Sequence, residues 1–411
     1  MQRPDIIAAL DIGTTKICAL IGEIKETGEV EIIGFGQSPA TGIKKGVVVN
    51  LETTIRAIEN ALQDAQTMAG AEVKEVYTGI SGGHIRSFNS NAVIGVQRPD
   101  REITKSDVDR VIDNAKAVNI PADMEIIHVL PQEFIIDGQS GIKEPIGMSG
   151  VRLETRVHIV SAATTAVQNI IKAINRAGYV VNDIILQSLA SARAVLTDEE
   201  KELGVALIEL GGGTTDIILY NNNGILHSSV IPVGGEHITS DIAVGLRTPR
   251  SSAEHIKIQY GVASVDMVEE NEIITIPRIG DFEERKVPKL LLAQIIDPRI
   301  DELLQMIKAE LVRVGYLEYA PTGVVISGGV ALMPGFREAA AQALGVPVRL
   351  AHPKNVLGLK DIVNNSVYAT TVGLLYFAAE ESNVKKNVMN FGKGLMDRFI
   401  SKLKQWFGDF F

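Results

Sequence analysis

Asp11, Gly13, Thr14, Thr15 and Lys16 stand together in the stretch IAALDIGTTKICALIG, and LIELGGGTTDIILY holds Gly211, Gly212, Gly213, Thr214, Thr215 and Asp216. Both stretches interrupt an apolar run with glycines and threonines and set an acid beside the interruption. Glycine lets backbone come within contact distance of a ligand and aim successive N–H groups at one point, which is how phosphate is bound. The threonine hydroxyls add donors, and Lys16 adds a positive charge. Asp11 and Asp216 would repel a phosphate unless a cation lay between them. Mg²⁺, an oxygen-seeking ion that keeps several waters, is the natural candidate. Two such turns facing each other across a cleft would hold a triphosphate from both sides. One turn alone reads as an ordinary hairpin with a hydrogen-bonded aspartate; the pair favours a nucleotide clamp. Neither GxxxxGK followed by Ser or Thr nor a GxGxxG after a strand occurs, so the P-loop and dinucleotide readings do not apply.

The elements that must position these residues are legible as apolar periodicity. Strands are expected at Ile6–Leu10, Ile17–Glu23 and Val30–Gly36. A helix follows in NLETTIRAIENALQDAQTMAG, with Asn50 as its cap, Ile55, Ile58 and Leu62 on its buried face and Gly70 at its end. Val76–Ile80 returns as a strand. From His84 to Ser161 the texture changes to a small α+β unit, read as an insertion, with a helix opened by Thr104 and with DGQSGIKEPIGMSG as an exposed loop. The second half restarts with strands Val205–Glu209, Ile217–Tyr220 and Ile225–Ile231. A helix in SSAEHIKIQYG, capped by Ser251 or Ser252, follows, then a β patch, a long helix near Lys289–Val314, and a strand and glycine turn in TGVVISGGVALMPGF. Each half therefore opens on a three-stranded set carrying an acid–Gly–Thr turn, the mark of a duplicated α/β unit.

At 411 residues, 45% of them apolar, the chain can bury several lobes. A net charge of −10 argues against nonspecific nucleic-acid binding. Cys18, the single cysteine, cannot form an intrachain disulfide, which is compatible with a reducing cytosol. The first residues lack the apolar core of a signal peptide, and no stretch has the roughly 18 apolar residues of a membrane span. The seven histidines show no HExxH or other metal-ligand spacing; His84, His128 and His227 read as structural or exposed. A soluble cytoplasmic protein is the expectation.

The C-terminal stretch differs from the rest. Polar EESNVKKNVMNFGKG reads as a linker, and LMDRFISKLKQWFGDFF follows it. Leu395, Phe399, Leu403, Trp406 and Phe410, spaced 4, 4, 3 and 4, share one helical face, which Met396, Ile400 and Phe407 widen. Asp397, Arg398, Lys402, Lys404 and Asp409 take the other side. A helix docked on its own protein or in a partner's groove shows the same stripe. The terminal position, the linker and the only tryptophan favour a helix lying in a membrane interface, where each basic residue would add roughly 1 kcal/mol against anionic lipid.

DIGTTK, ELGGGTTD, VVISGGVALMPGF and YATTVGLLYF resemble, in this order, the two phosphate motifs, the adenosine motif and a connecting helix of the actin, heat-shock-chaperone and sugar-kinase superfamily, and QSLASARAVL is similar to the other connecting helix. Within it, GFGQSPATGIKKGVVVNLETTIRAIENAL, SLASARAVLTDEEKELGVALIELGGGTTDI and VIPVGGEHITSDIAVGLRTPRSSAEHIKIQYG resemble the FtsA family of bacterial cell division proteins, as does an α+β insertion at this place. The resemblance spans essentially the whole chain. It implies an α/β fold, an actin-like two-lobed duplication of ribonuclease-H type with an inserted small α+β subdomain and a C-terminal amphipathic helix. The divisions are first lobe 1–83, inserted subdomain 84–161, first lobe again 162–200, second-lobe core 201–240, its smaller subdomain 241–320, core again 321–366, closing helix 367–379, linker 380–394 and membrane-targeting helix 395–411.

Further implications are ATP with Mg²⁺ between the lobes, Gly235 in the nucleotide site, Gly328 and Gly329 toward adenosine, and Glu254 and Lys257 flanking base and ribose. By itself AEHIK reads as a solvated helix face. Gln187 falls where actin orients the attacking water, although a glutamine capping the helix fits as well, so at most a weak ATPase is expected. IIDPRIDELLQMIKAEL resembles the FtsA segment that receives the C-terminal peptide of the tubulin-like FtsZ, with Arg285 and Arg299 toward that acidic peptide; alone they read as solvated charges. The implied function is an ATP-binding scaffold that polymerises on the inner membrane face, anchors FtsZ filaments to anionic lipid and recruits other division proteins, some of them through the inserted subdomain. The alternatives are a pilus-assembly actin homologue of the PilM type, which normally lacks such a tail, and a small-molecule kinase.

Overall fold

The computed structural model describes residues 5–269, 271–277 and 284–390. Asp5–Ile12, Lys16–Ile24 and Val30–Pro39 form one antiparallel triplet; Val205–Leu210, Thr215–Asn221 and Gly224–Ile231 form another. In each, the first strand also pairs in parallel with one that returns after a crossover: Asp5–Ile12 with Glu75–Ile80, and Val205–Leu210 with Val324–Ser327. A further parallel strand extends each sheet, Val180–Leu186 in the first and Val348–Leu350 in the second. The two sheets share one strand order, which is the duplication. The first has one addition: Leu357–Gly358 pairs with Val30–Pro39, so the second half of the chain reaches back onto the first lobe.

Near-continuous apolar runs in these strands reflect burial on both faces. Along Val205–Leu210 the period-two alternation divides the side chains between two cores. Val205 and Leu207 join the first-lobe core, whereas Ala206, Ile208 and Leu210 join that of the second. Helices Gln187–Val195 and Ala369–Asn390 pack between the sheets. They cross so closely that a Cβ on Gly373 would strike the Ala190 carbonyl.

Helix Leu51–Ala69 starts and stops where its sequence signals lie. The Asn50 side chain accepts from the Thr53 N–H at 3.2 Å, and Gly70 closes it in the left-handed region at φ 61°. Helix Arg250–Tyr260 departs from expectation. It begins before Ser251 and Ser252, neither of which caps it, because Pro249 holds the extended boundary residue.

The insertion is a four-stranded sheet in the order Arg86–Gly95, Arg152–Ala163, Met124–Ile136, Gln139–Ile142. Helix Lys105–Lys116 covers it, burying Val108, Val111 and Ile112 against Phe134, Leu153 and Val157. The stretch expected as a loop contains strand Gln139–Ile142. Asp137 and Gly138 both take positive φ, as a two-residue Asp-Gly hairpin turn requires, and so return the chain to pair.

Residues 380–390, expected to open a linker, continue helix Ala369–Asn390 instead. Glu380 pairs with Arg193, and the Ser382 hydroxyl donates to Asp5 at 2.8 Å, which ties this turn to the first lobe. The stripe of Leu395, Met396, Phe399, Ile400, Leu403, Trp406, Phe407 and Phe410 lies outside the described residues. Among the described residues no helix is long and apolar enough to cross a membrane.

Candidate nucleotide-binding cleft

Register places the two turns at matching ends of matching hairpins. Ile12 pairs with Ile17 across Gly13-Thr14-Thr15-Lys16, and Leu210 pairs with Thr215 across Gly211-Gly212-Gly213-Thr214. Each turn closes on itself, with Gly13 N–H to the Lys16 carbonyl at 3.0 Å and Gly211 N–H to the Thr214 carbonyl at 2.9 Å. The turns also meet. A Cβ on Gly212 would stand 3.1 Å from the Thr15 hydroxyl, and one on Gly213 would stand 2.8 Å from Cγ2 of Thr14. None of Gly211, Gly212 and Gly213 has positive φ, so at Gly212 and Gly213 glycine is required by the opposing threonines rather than by backbone conformation.

Beside the meeting point is a cavity of about 410 Å³. Asp11, Gly13, Thr14, Thr15, Lys16, Gln187, Gly211, Gly212, Gly213, Thr214, Gly235, Glu254, Lys257, Gly328 and Gly329 all line it. Thr215 and Asp216 do not: the Thr215 hydroxyl donates to the Val233 carbonyl at 2.8 Å, and Asp216 is 2% exposed beneath the turn. Ser81, at the end of a first-lobe strand, donates to Asp216 at 2.6 Å, a hydrogen bond across the lobes.

Glu209 is the functional candidate that the sequence reading passed over. It lines the cavity with Asp11, and its carboxylate accepts from the hydroxyls of Ser191 and Thr370. The signal was available in the repeat: Asp11 stands two residues before Gly13, and Glu209 two before Gly211. The acid expected beside Asp11 was Asp216. Glu209 and Asp216 are cross-strand partners on one face of the sheet, and of the two Glu209 lines the cavity while Asp216 is buried and accepts from Ser81.

Burial dominates the electrostatics. It pushes Asp11 and Asp216 up to about 6 and Glu209 up to about 8, the last helped by its acidic neighbours Asp216 and Asp11. Gln187 donates to Asp11 at 2.8 Å and partly offsets this. The Lys16 charge also lowers Asp11, while its ammonium donates to the Val367 carbonyl at 2.8 Å and stands 4.0 Å over the Tyr368 ring. Such a set of crowded, reluctantly ionised carboxylates beside hydroxyls fits a hard divalent cation that takes its remaining ligands from water and phosphate. Among the described residues no group of three His, Cys, Asp or Glu could hold a metal by itself.

The remaining walls are specific to their elements. Gly328 sits at φ 90°, and a Cβ there would come 2.7 Å from the Leu210 carbonyl carbon. Gly235 opens helix Gly235–Gly245, whose first N–H groups are occupied: Gly235 donates to Gly211 at 3.0 Å and Glu236 to Gly212 at 2.7 Å. Lys257 donates to Glu254 at 2.8 Å, to Thr239 at 3.0 Å and to the Gly235 carbonyl at 3.2 Å. Ile258, Leu332, Met333 and Pro334, also unassigned from sequence, give the cavity an apolar side. Arg285 and Arg299 lie away from it. Arg299 forks onto Asp241, at 2.6 and 3.1 Å, and reaches Glu302, whereas Arg285 donates to the Leu246 carbonyl.

Residues 206–373 match the family profile described as "Cell division protein FtsA", and residues 82–161 match "SHS2 domain inserted in FTSA". Over 413 residues the chain is 45% identical to cell division protein FtsA of Neisseria meningitidis, covering 98% of each chain. Identity to the Pseudomonas aeruginosa protein is 46%, with 93% of this chain and 91% of that one covered; for Escherichia coli K12 it is 36%, with 98% and 97% covered. Among solved structures the fold is similar to a chain of the PilM–PilN type IV pilus biogenesis complex, with a TM-score of 0.67 at 16% identity, covering 91% of this chain and 98% of that one. MreB5 of Spiroplasma citri bound to AMPPNP gives 0.56 at 15%, covering 95% and 100%. With this identity sustained along nearly its whole length, the chain belongs to the FtsA family of cell division proteins.

Proposed function

We propose that the chain binds ATP with Mg²⁺ in the cavity between its lobes, polymerises on the inner face of the cell membrane at the division site, and anchors FtsZ filaments there while recruiting other division proteins. The observation that carries the nucleotide reading is the pair of turns in contact across one cavity. Backbone N–H groups and hydroxyls of Thr14, Thr15 and Thr214 would take the phosphates, while Ile258, Leu332 and Met333 offer an apolar face to the base and Glu254 and Lys257 polar groups to the sugar. Asp11 and Glu209 would hold the hydrated Mg²⁺, with Asp216 behind them. When bound, the ion neutralises phosphate charge between the turns. The Gln187 carboxamide, oriented by Asp11, would position water without itself taking a proton, so turnover is slow. Nucleotide acts chiefly by favouring the closed arrangement of the lobes, the state competent to assemble.

Membrane attachment rests on the 395–411 stripe, and the FtsZ peptide is placed on the second lobe's smaller subdomain. An acidic peptide there would exchange with Asp241 and Glu302 for Arg299. Sedimentation with anionic vesicles and ATP·Mg²⁺ tests the anchor. The full chain is expected in the vesicle pellet and a chain ending at Asn390 in the supernatant, with FtsZ brought down only by the former. Equal behaviour of the two chains would sink the anchoring role and leave the nucleotide site standing.

A further inference from the structure

The geometry points to the inserted subdomain as a latch that holds the two lobes closed independently of nucleotide, through polar side chains fastened to the edge strand of the second-lobe sheet. Both ends of the insertion are in the first lobe, between strand Glu75–Ile80 and helix Thr164–Arg176. Its Leu130, Val160 and Ala162 belong to the first-lobe core, and the Leu186 N–H donates to His128 at 2.9 Å. Apolar packing and covalent connection therefore hold it to that lobe.

Its hold on the second lobe adds a row of polar fastenings. Strand Gly224–Ile231 is the last of its sheet, so one row of its backbone groups has no strand partner. Side chains of the insertion capture three of those carbonyls: Ser87 donates to Ser228, Asn89 to Leu226 at 3.0 Å and Gln132 to Ile225 at 2.7 Å. A second layer keeps the donors in place. The His158 ring, 1% exposed, lies 2.7 Å by Nδ1 from the Asn89 side-chain oxygen and 2.8 Å by Nε2 from the Ser228 hydroxyl. The oxygen only accepts, so Nδ1 carries the proton and the hydroxyl donates to Nε2. Gln132 also donates to Asn89 at 3.2 Å. Backbone approach is close at Gly224, where a Cβ would stand 3.1 Å from the Gln132 carbonyl.

Beside these bonds the two bodies separate around a cavity of about 710 Å³, lined by Phe88 and Arg156 of the insertion and by Leu226, His227, Arg313 and Tyr319 of the second lobe. Ile225 of the edge strand belongs to the same apolar cluster as Leu130, Val160 and Ala162, and the row of directional hydrogen bonds fixes the register of that contact. Such bonds hold one register, because each requires its own distance and angle. Opening the cleft swings the second lobe from the first and must break this row. Anything that pulls the insertion off the edge strand frees the lobes.

Distances between spin labels at Val180→Cys in the first lobe and Val312→Cys in the second, both exposed, read the lobe separation directly while buried Cys18 stays unlabelled. Without nucleotide, the chain with its latch intact is expected to give one narrow distance. Adding Asn89→Ala and Gln132→Ala should broaden it toward longer values; Asn89→Asp with Gln132→Glu, which keep the shape but remove the donors, should do the same. An intact-latch distribution already broad without nucleotide, or variants as narrow as the parent, would overturn the latch. The latch itself does not rest on nucleotide binding, although its consequence for the cleft does, and ATP·Mg²⁺ separates the two. Recovery of the narrow distance in the variants supports both readings. A distribution that stays broad leaves the latch supported and counts against closure by nucleotide.

Discussion

In the first lobe one glycine and two threonines join Asp5–Ile12 to Lys16–Ile24; in the second, three glycines and Thr214 join Val205–Leu210 to Thr215–Asn221. The hairpins are equivalent in topology, yet bulk sits on one side and its absence on the other. Thr14 and Thr15 occupy the space that Gly213 and Gly212 leave open. A similar asymmetry holds for charge. The first turn has Lys16 after it and Asp11 before it, while the second has Glu209 before it and Asp216 after it, the latter buried and answered by Ser81 from the opposite lobe. Duplication supplied two similar clamps, and their residues then diverged into complements.

The largest effect is expected from adding bulk on the empty side. Gly213→Val would set a branched carbon against Thr14, overpacking of about 1–3 kcal/mol that falls on the closed state. Titration with a fluorescent ATP analogue should show a loss of about tenfold to hundredfold, with the far-ultraviolet circular dichroism unchanged. Gly13→Val strikes the Lys16 carbonyl of its own turn, 2.8 Å from the added carbon, and should lower the melting temperature instead. Equal loss of affinity without loss of stability in both would break the complementarity.

Next come the acids. Glu209→Gln and Asp11→Asn should each remove about tenfold of the Mg²⁺-dependent gain in ATP affinity, because both line the cavity. Asp216→Asn should remove less. If Asp216 proves the more sensitive, the assignment of Glu209 as the counterpart of Asp11 is wrong.

The smallest effect is on pH dependence. Folding raises Asp11 and Asp216 to about 6 and Glu209 to about 8, above their unfolded values. The folded, nucleotide-free chain therefore binds more protons than the unfolded one, and this contribution is lost as pH rises through 6 and then 8. His158 and His128, pushed down to about 3 and about 4 by burial, act oppositely: their contribution is lost as pH falls below the unfolded value of 6.5. The melting temperature without nucleotide should fall between pH 6.5 and 8.5. Glu209→Gln should flatten that slope by removing its upper part, and a slope unchanged in the variant would place the titration elsewhere.

Much of this was legible before any coordinates. Apolar strands ending in small residues, Asn50 and Gly70 bounding a helix, and a repeated acid–Gly–Thr pattern are local signals, written in residues close together in the chain. They determined the duplication and both turns, while Gln187, Gly235, Glu254, Lys257, Gly328 and Gly329 were reached only through the family resemblance. Tertiary structure alone decided which acid of the second turn lines the cavity with Asp11, because Glu209 and Asp216 share one face of the sheet and it is Ser81 of the opposite lobe that engages Asp216. It decided why Gly212 and Gly213 are glycines, a matter of threonines nearly two hundred positions away. It also showed Lys16 held by Val367 and the insertion fastened to the second lobe, since hydrogen-bond partners far apart in sequence leave no periodic trace in either segment.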